Sequence, residues 1–220
     1  NYSDTVKGIR EDLRLDLTFK DFVNLQDSIL KYYPDSKETD DVLTRGFQYI
    51  KYYFSDYTVP RIFYLNMGLS KWPTFPVDKN TLCVGLDMFL GPQFPYYRAV
   101  GIPDYMDTHL TKEYLPVSLF SVAYKTIMPP DLDNKPLLDL MIQRGKEQYF
   151  LHKILPGTTD EVLFGFTDLQ MKWCNANEAV VYNYFIHENL LYNKEAQNTM
   201  PYIHDGPYAK GLESSTEPVK

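Results

Sequence analysis

LLDLMIQRGKEQYFL, residues 137–151, reads as one amphipathic helix that carries a glycine and a run of charges inside it. On a helical wheel Leu137, Leu138, Met141, Ile142, Gly145 and Tyr149 form an apolar face. Gly145 falls near the middle of that face, where a missing side chain lets a neighbouring helix come close. Asp139, Gln143, Lys146 and Glu147 lie opposite, and Arg144 stands at the border, from which a side chain reaches into a cleft. Pro136 and Pro156 bound the helix.

Outward from this stretch, the same helical spacing recurs. On the C-terminal side the longest helix begins at Thr167, which forms a capping box with Gln170, and places Leu169, Trp173, Ala176, Val180 and Tyr184 on one stripe. On the N-terminal side VSLFSVAYKTIM (117–128) opens after Pro116 and closes before Pro129, and DYMDTHLTKEYL (104–115) is a further expected helix. Two more are expected over 19–33 and 39–54, the latter with Leu43, Phe47, Ile50 and Phe54 in phase. Between them and the later helices, RIFYLNM (61–67) and TLCVGLDMFL (81–90) read as strands, separated by the punctuated stretch KWPTFPVDKN. GPQFPYYRAVGIP (91–103) is too rich in Pro and Gly for a regular element and reads as a loop. Helices, a few strands and more helices predict an α+β fold, mostly helical with a small sheet. The expected organisation is a single domain over 1–220, with a helical part at 1–58, a small sheet at 59–92 and a second helical part at 93–220.

Composition excludes several classes. A chain of 220 residues, 44% hydrophobic and 23% charged, can bury a sizeable core, and no apolar run approaches the roughly 18 residues of a membrane span. A net charge of −7, with Lys and Arg scattered singly among acids, argues against a nucleic-acid partner. Aromatics reach 15%, with 19 tyrosines, and such amphipathic rings suit contact surfaces. Cys83 and Cys174 lack metal-site spacing, and Cys83 in TLCVGL reads as a small buried hydrophobe.

Catalytic signatures are missing where they are sought. A zinc site of the HExxH type needs two imidazoles at i and i+4 on one face, with the Glu activating water. His109, His152, His187 and His204 offer no such pair, and HENLL (187–191) puts Leu191 in the place of the second ligand. His187 and Glu188 therefore read as a helix-surface pair. Asp131, Asp133 and Asn134 resemble the start of a calcium loop, but Pro136 and Ile142 replace its Gly and its closing Glu, which leaves a turn before a helix. GxSxG, GxxxxGK[ST] and GxGxxG are all absent. No metal and no cofactor is expected.

Several stretches in order resemble the gliding-motility lipoprotein family GldB of the Bacteroidetes. They are TLCVGLDMFLG (81–91), PYY, IPDYM, LLDLMIQRGKEQYFL, the run WCNANEAVVYNYFIHENLLY (173–192) and HDGPYAKG (204–211). That family is in turn similar to a group of zinc metallopeptidases with HExxH on one helix and a motif close to LLDxxxxEGxxxxF on the next. In that frame Leu137, Leu138, Asp139, Gly145 and Phe150 match, while Arg144 stands where the ligand Glu would be. Tyr124, Lys125 and Met128 would take the His, Glu and His positions, and no histidine lies between His109 and His152. Lys125 and Arg144 would repel a zinc ion.

The resemblance therefore implies a zincin-like scaffold whose active site has decayed, in a non-enzyme. It further implies a lipoprotein of the Gram-negative cell envelope, periplasmic, and anchored to the membrane through an N-terminal cysteine lost from this chain. Its expected partners are other envelope proteins of the motility machinery or of type IX secretion. The contact region expected is the former substrate cleft, with Tyr96, Tyr97, Tyr124, Lys125, Met128 and Arg144. The alternatives are a hydrolase with a rebuilt site, using Glu147, His152 or His187, and a glycan- or peptide-binding envelope protein without a motility role.

Overall fold

The computed structural model describes residues 18–69 and 72–203. Helix α1, Lys20–Tyr32, buries Leu25 and Ile29 and stops before Pro34, its last turn closed by the Tyr33 amide donating to the Ile29 carbonyl. Helix α2, Lys37–Tyr53, buries Leu43, Gly46, Phe47 and Ile50, the spacing that its sequence dictates. Both start within two residues of the expected positions.

The sheet has three strands, β1 Arg61–Leu65, β2 Thr74–Asp78 and β3 Thr81–Gly85, in the order β1-β3-β2. β3 runs parallel to β1 and antiparallel to β2, and all five of its residues are buried, as a continuous apolar run in a central strand should be. Two expectations change here. KWPTFPVDKN contains the strand β2; Pro76 fits because β2 is an edge, and the register slips between Pro76 and Asp78. The second run is shorter than expected, ending at Gly85, beyond which Leu86–Phe89 is a 3-10 turn. Asp87 bends the chain there: fully buried, it accepts hydrogen bonds from the amides of Met67 at 3.0 Å and Leu69 at 2.6 Å.

The proline-rich loop holds one short helix, α3, Tyr96–Ala99. The helix expected over 104–115 is only a 3-10 turn, Asp104–His109. Arg98 explains this, since it pairs with Asp104 at 2.9 Å and with Asp107 and so folds the segment back on α3. Helix α4, Leu115–Ile127, begins with Pro116 in its first turn and buries Leu115, Val117, Leu119, Phe120 and Ala123. Helix α5 is Leu137–Ile154, α6 is Asp160–Phe164, α7 is Asp168–His187, and the short α8 is Ala196–Thr199 before a final turn at Met200–Tyr202. The capping box of α7 is present, with the Gln170 amide donating to Thr167 Oγ1 at 3.2 Å and the Thr167 amide donating to Gln170 Oε1 at 2.8 Å.

Two helical faces differ from the wheels. On α5 the buried residues are Leu137, Leu140, Glu147, Phe150, Leu151 and Ile154, whereas Ile142, Gly145 and Tyr149 are exposed. The inward line thus runs 137, 140, 147, 150, 151, 154, with the exposed Arg144 at its edge, and a charge is carried on it because α4 supplies partners for Glu147. On α7 Leu169 is 77% exposed and Val180 is exposed as well, while Cys174, Asn177, Val181 and Phe185 are the better covered side.

The apolar interior falls into two clusters. The larger gathers α1, α2, the sheet, α4 and the second half of α5, including Ile50, Val84, Phe89, Phe120 and Leu151. The smaller joins Leu137 to Phe185, Leu190, Leu191 and Tyr202. The turn at 190–193 also serves α5: the amides of Leu137 and Leu138 donate to the carbonyls of Asn193 and Leu191, which satisfies donors that a helix start leaves open. No helix among the described residues is long and apolar enough to cross a membrane. The HDGPYAKG stretch lies outside the described residues.

Candidate functional site

Helices α4 and α5 pack side by side, and the spacing of their polar residues builds the site. Ser118, Ser121 and Lys125 stand three and four residues apart on α4, so one face carries all three. Arg144 and Glu147 are one turn apart on α5. Between the helices Glu147 is 7% exposed, and a buried carboxylate at such a position needs compensation. It has three partners. Ser121 donates to Oε1, Lys125 Nζ lies 3.7 Å from the same oxygen, and Arg144 Nη1 donates to Oε2 at 3.2 Å.

Tyr124 belongs to the same neighbourhood. Its ring packs on Phe150 with centroids 5.1 Å apart, and burial, with the Glu147 charge second, pushes its hydroxyl above the ordinary tyrosine range.

Beside this cluster α4 forms one wall of a cavity of about 190 Å³. Met88, Met106, Leu110 and Val122 give it apolar walls, and Ser118, Ser121, His109 and Lys125 bring polar atoms to it. Ser118 donates to Thr74 Oγ1 at 2.9 Å, which ties α4 to the sheet edge. His109 is fixed by its surroundings: its ring meets Tyr114 edge-on at 4.5 Å, and Thr108 Oγ1, 3.3 Å from Nδ1, donates to the Gly165 carbonyl. Gly165 has φ +64, and a Cβ there would lie 2.5 Å from His109 Nε2, so both the backbone and the imidazole require glycine.

A wider groove of about 520 Å³ lies between α2 and the start of β1, lined by Leu43, Phe47, Val59 and Ile62. Its polar side chains serve the fold: Asp40 accepts from Tyr64 at 2.7 Å and from Ser36 at 2.6 Å, and Lys51 donates to the Ser55 carbonyl. The α4–α5 site differs in bringing charged groups of two helices together at a cavity.

Of the residues singled out from the sequence, Tyr124, Lys125 and Arg144 meet around Glu147. Met128 is the exposed C-cap of α4. Tyr96 is half-exposed on α3 against Phe94, and it does not line the cavity. Tyr97 is fully buried, its hydroxyl donating to the Asp87 carbonyl at 2.8 Å and accepting from the Leu90 amide at 2.9 Å, so it is a clamp within the core. Glu147, which the helical wheel puts on the solvent side and the sequence offers only for a rebuilt hydrolase site, is the centre of the cluster; Ser118, Ser121 and His109 carry no signal of their own in the sequence. His187 is an exposed partner of Glu188 at 3.0 Å, and His152 stands 3.9 Å from Asp160 on the surface. Asp131 pairs with Lys135 at 2.7 Å in a turn before α5. Among the described residues no three His, Cys, Asp or Glu side chains gather where they could hold one ion.

Comparison with curated proteins and with solved structures found no match. A family model described as gliding motility protein GldB matches residues 2–218, nearly the whole chain. On that match the chain belongs to the GldB family, the cell-envelope lipoproteins associated with gliding motility.

Proposed function

We propose that this chain is a non-catalytic component of the periplasmic face of a Gram-negative envelope, holding other proteins of the motility or type IX secretion machinery through its α4–α5 cleft. One observation carries the reading. At the positions where metallopeptidases similar to the family would place the water-activating Glu and the Glu ligand, Lys125 and Arg144 turn two cations toward one buried carboxylate, Glu147. A cation at a ligand position opposes a metal by simple Coulomb repulsion, whereas cations tethered to a buried acid beside a cavity suit recognition of another molecule. The helix pair supports a scaffold shared with zincin-like peptidases in which the ligand set has been replaced.

The test is recovery of partners from native envelopes with the lipid-anchored protein as bait, wild type against Lys125→Met. Motility or secretion components captured by wild type and lost in the variant support the reading. Stoichiometric zinc together with peptide hydrolysis in the purified protein would overturn it, and recovery of glycan alone would replace it with a glycan-binding role.

A further inference from the structure

We propose that the α4 cavity binds a carboxylate carried on an apolar body, with Lys125 as the group that holds the carboxylate. The inference rests on the contact role just assigned to this cleft and names the chemistry of what enters it.

Charge balance leads to it. Glu147 contributes one negative charge, and Arg144 already meets it at hydrogen-bond distance through Nη1. Lys125 is 3.7 Å from the opposite oxygen, an ion pair too long for a hydrogen bond. Among the described residues Lys125 donates no hydrogen bond and pairs with no acid besides Glu147, so its three donors are unspent. Its side chain is 44% exposed and lines the cavity. Arg144 offsets Glu147 and leaves the ammonium as the surplus charge of the site, in a protein whose net charge is −7. An anion is the ligand that such a surplus selects.

The cavity defines the rest of the ligand. Met88, Met106, Leu110 and Val122 form its apolar walls, and about 190 Å³ is enough for one branched aliphatic group. An inorganic anion would leave those walls unused; a chain of about five carbons ending in a carboxylate fills the cavity and reaches the ammonium. A polypeptide C-terminus with an apolar last residue presents that combination, and so does a free short aliphatic acid.

Arg144 is then a positioning residue. Without it Glu147 would take up the Lys125 donors, and the ligand would lose its partner although Arg144 does not line the cavity.

The experiment is calorimetric titration of the full chain with three probes: a tetrapeptide ending in leucine with a free carboxylate, the same peptide amidated, and sodium hexanoate. Saturable binding of the free-acid peptide, weakened at least tenfold by amidation and by Lys125→Met, is the expected result, because loss of a charge-assisted contact of about 1.4 kcal/mol is a factor of ten. Arg144→Met should weaken binding severalfold and Arg144→Lys should restore it, a rescue that a purely structural role would not produce. Val122→Phe should abolish binding by filling the cavity. Hexanoate binding without peptide binding would uphold the carboxylate site and remove the protein-partner reading of it. Equal affinity for acid and amide, or no saturable binding of either peptide or hexanoate by the folded wild type, would overturn the proposal.

Discussion

Arg144 and Glu147 stand one turn apart on α5, their charges 3.2 Å from each other, and the glutamate is the buried partner while the arginine side chain is 53% exposed. The pair is therefore unequal: losing the arginine leaves a buried carboxylate still held by Ser121 and Lys125. Arg144→Ala or Lys125→Ala alone should cost about 1 kcal/mol, since each cation is half in water. The double substitution leaves buried Glu147 without a cation, held by Ser121 alone, and should cost about 3–5 kcal/mol, more than the sum. Urea midpoints of the four proteins measure this, and strict additivity would show that the two cations do not share one acid.

Two glycines should respond oppositely to alanine. Gly145 has open space around its missing Cβ in the middle of a helix, so Gly145→Ala should raise stability by about 0.5–1 kcal/mol through helix propensity. At Gly46 a Cβ would stand 2.4 Å from the ring of Phe120, itself fully buried against Phe47, so Gly46→Ala should cost about 1–3 kcal/mol. Thermal melts of the two variants give the signs directly.

Helix α7 has a single buried residue, Phe185, over twenty, so its start depends more on capping than on packing. Thr167→Ala should cost about 1 kcal/mol. Amide exchange in the first turn of α7 should speed up while amides of β3 keep their protection. Unchanged exchange at Asp168–Met171 would mean that the cap contributes nothing.

Alkaline pH should destabilise the protein. Burial pushes the hydroxyls of Tyr33 and Tyr97 well above their ordinary 10.0, and both donate to backbone carbonyls of the core. Above pH 10 the unfolded chain releases these protons and the folded one retains them, so stability falls as pH rises, by about 1.4 kcal/mol per pH unit for each such tyrosine. Below that value the two groups add no slope. Urea midpoints between pH 8 and 11, with tyrosinate absorbance followed in parallel, test it: these hydroxyls should ionise only as the fold is lost.

Local rules made much of the fold legible. Leu43, Phe47 and Ile50 show a helical period that packing obeys, and Thr167 with Gln170 caps α7 by side-chain chemistry alone. What was not legible depends on partners distant in sequence. Pro76 argues against a strand unless the strand is known to be an edge, and the turn at 104–109 is folded by Arg98. The face of α5 is the sharpest case: hydrophobicity puts Ile142 and Tyr149 inward, but the helix turns Glu147 in because Ser121 and Lys125 of α4 can satisfy it. Lys125 and Arg144 are brought together by the family resemblance, whereas Glu147, the acid that joins them, stands in the sequence only on the polar face of its helix and as a candidate of the hydrolase alternative.

Helix α5 is anchored at its first residue, Leu137, in the smaller core and at Phe150, Leu151 and Ile154 in the larger one. It is a strut of 18 residues, about 27 Å long, gripped at both ends by separate packing units. That strut is one connection between the part of the protein around α7 and Tyr202 and the sheet side, and the packing of α6 against both α5 and α7 is another. Lys125 and Ser121 clasp it near mid-span through Glu147, so the polar cluster is a third point of attachment for α5, between its two apolar anchors.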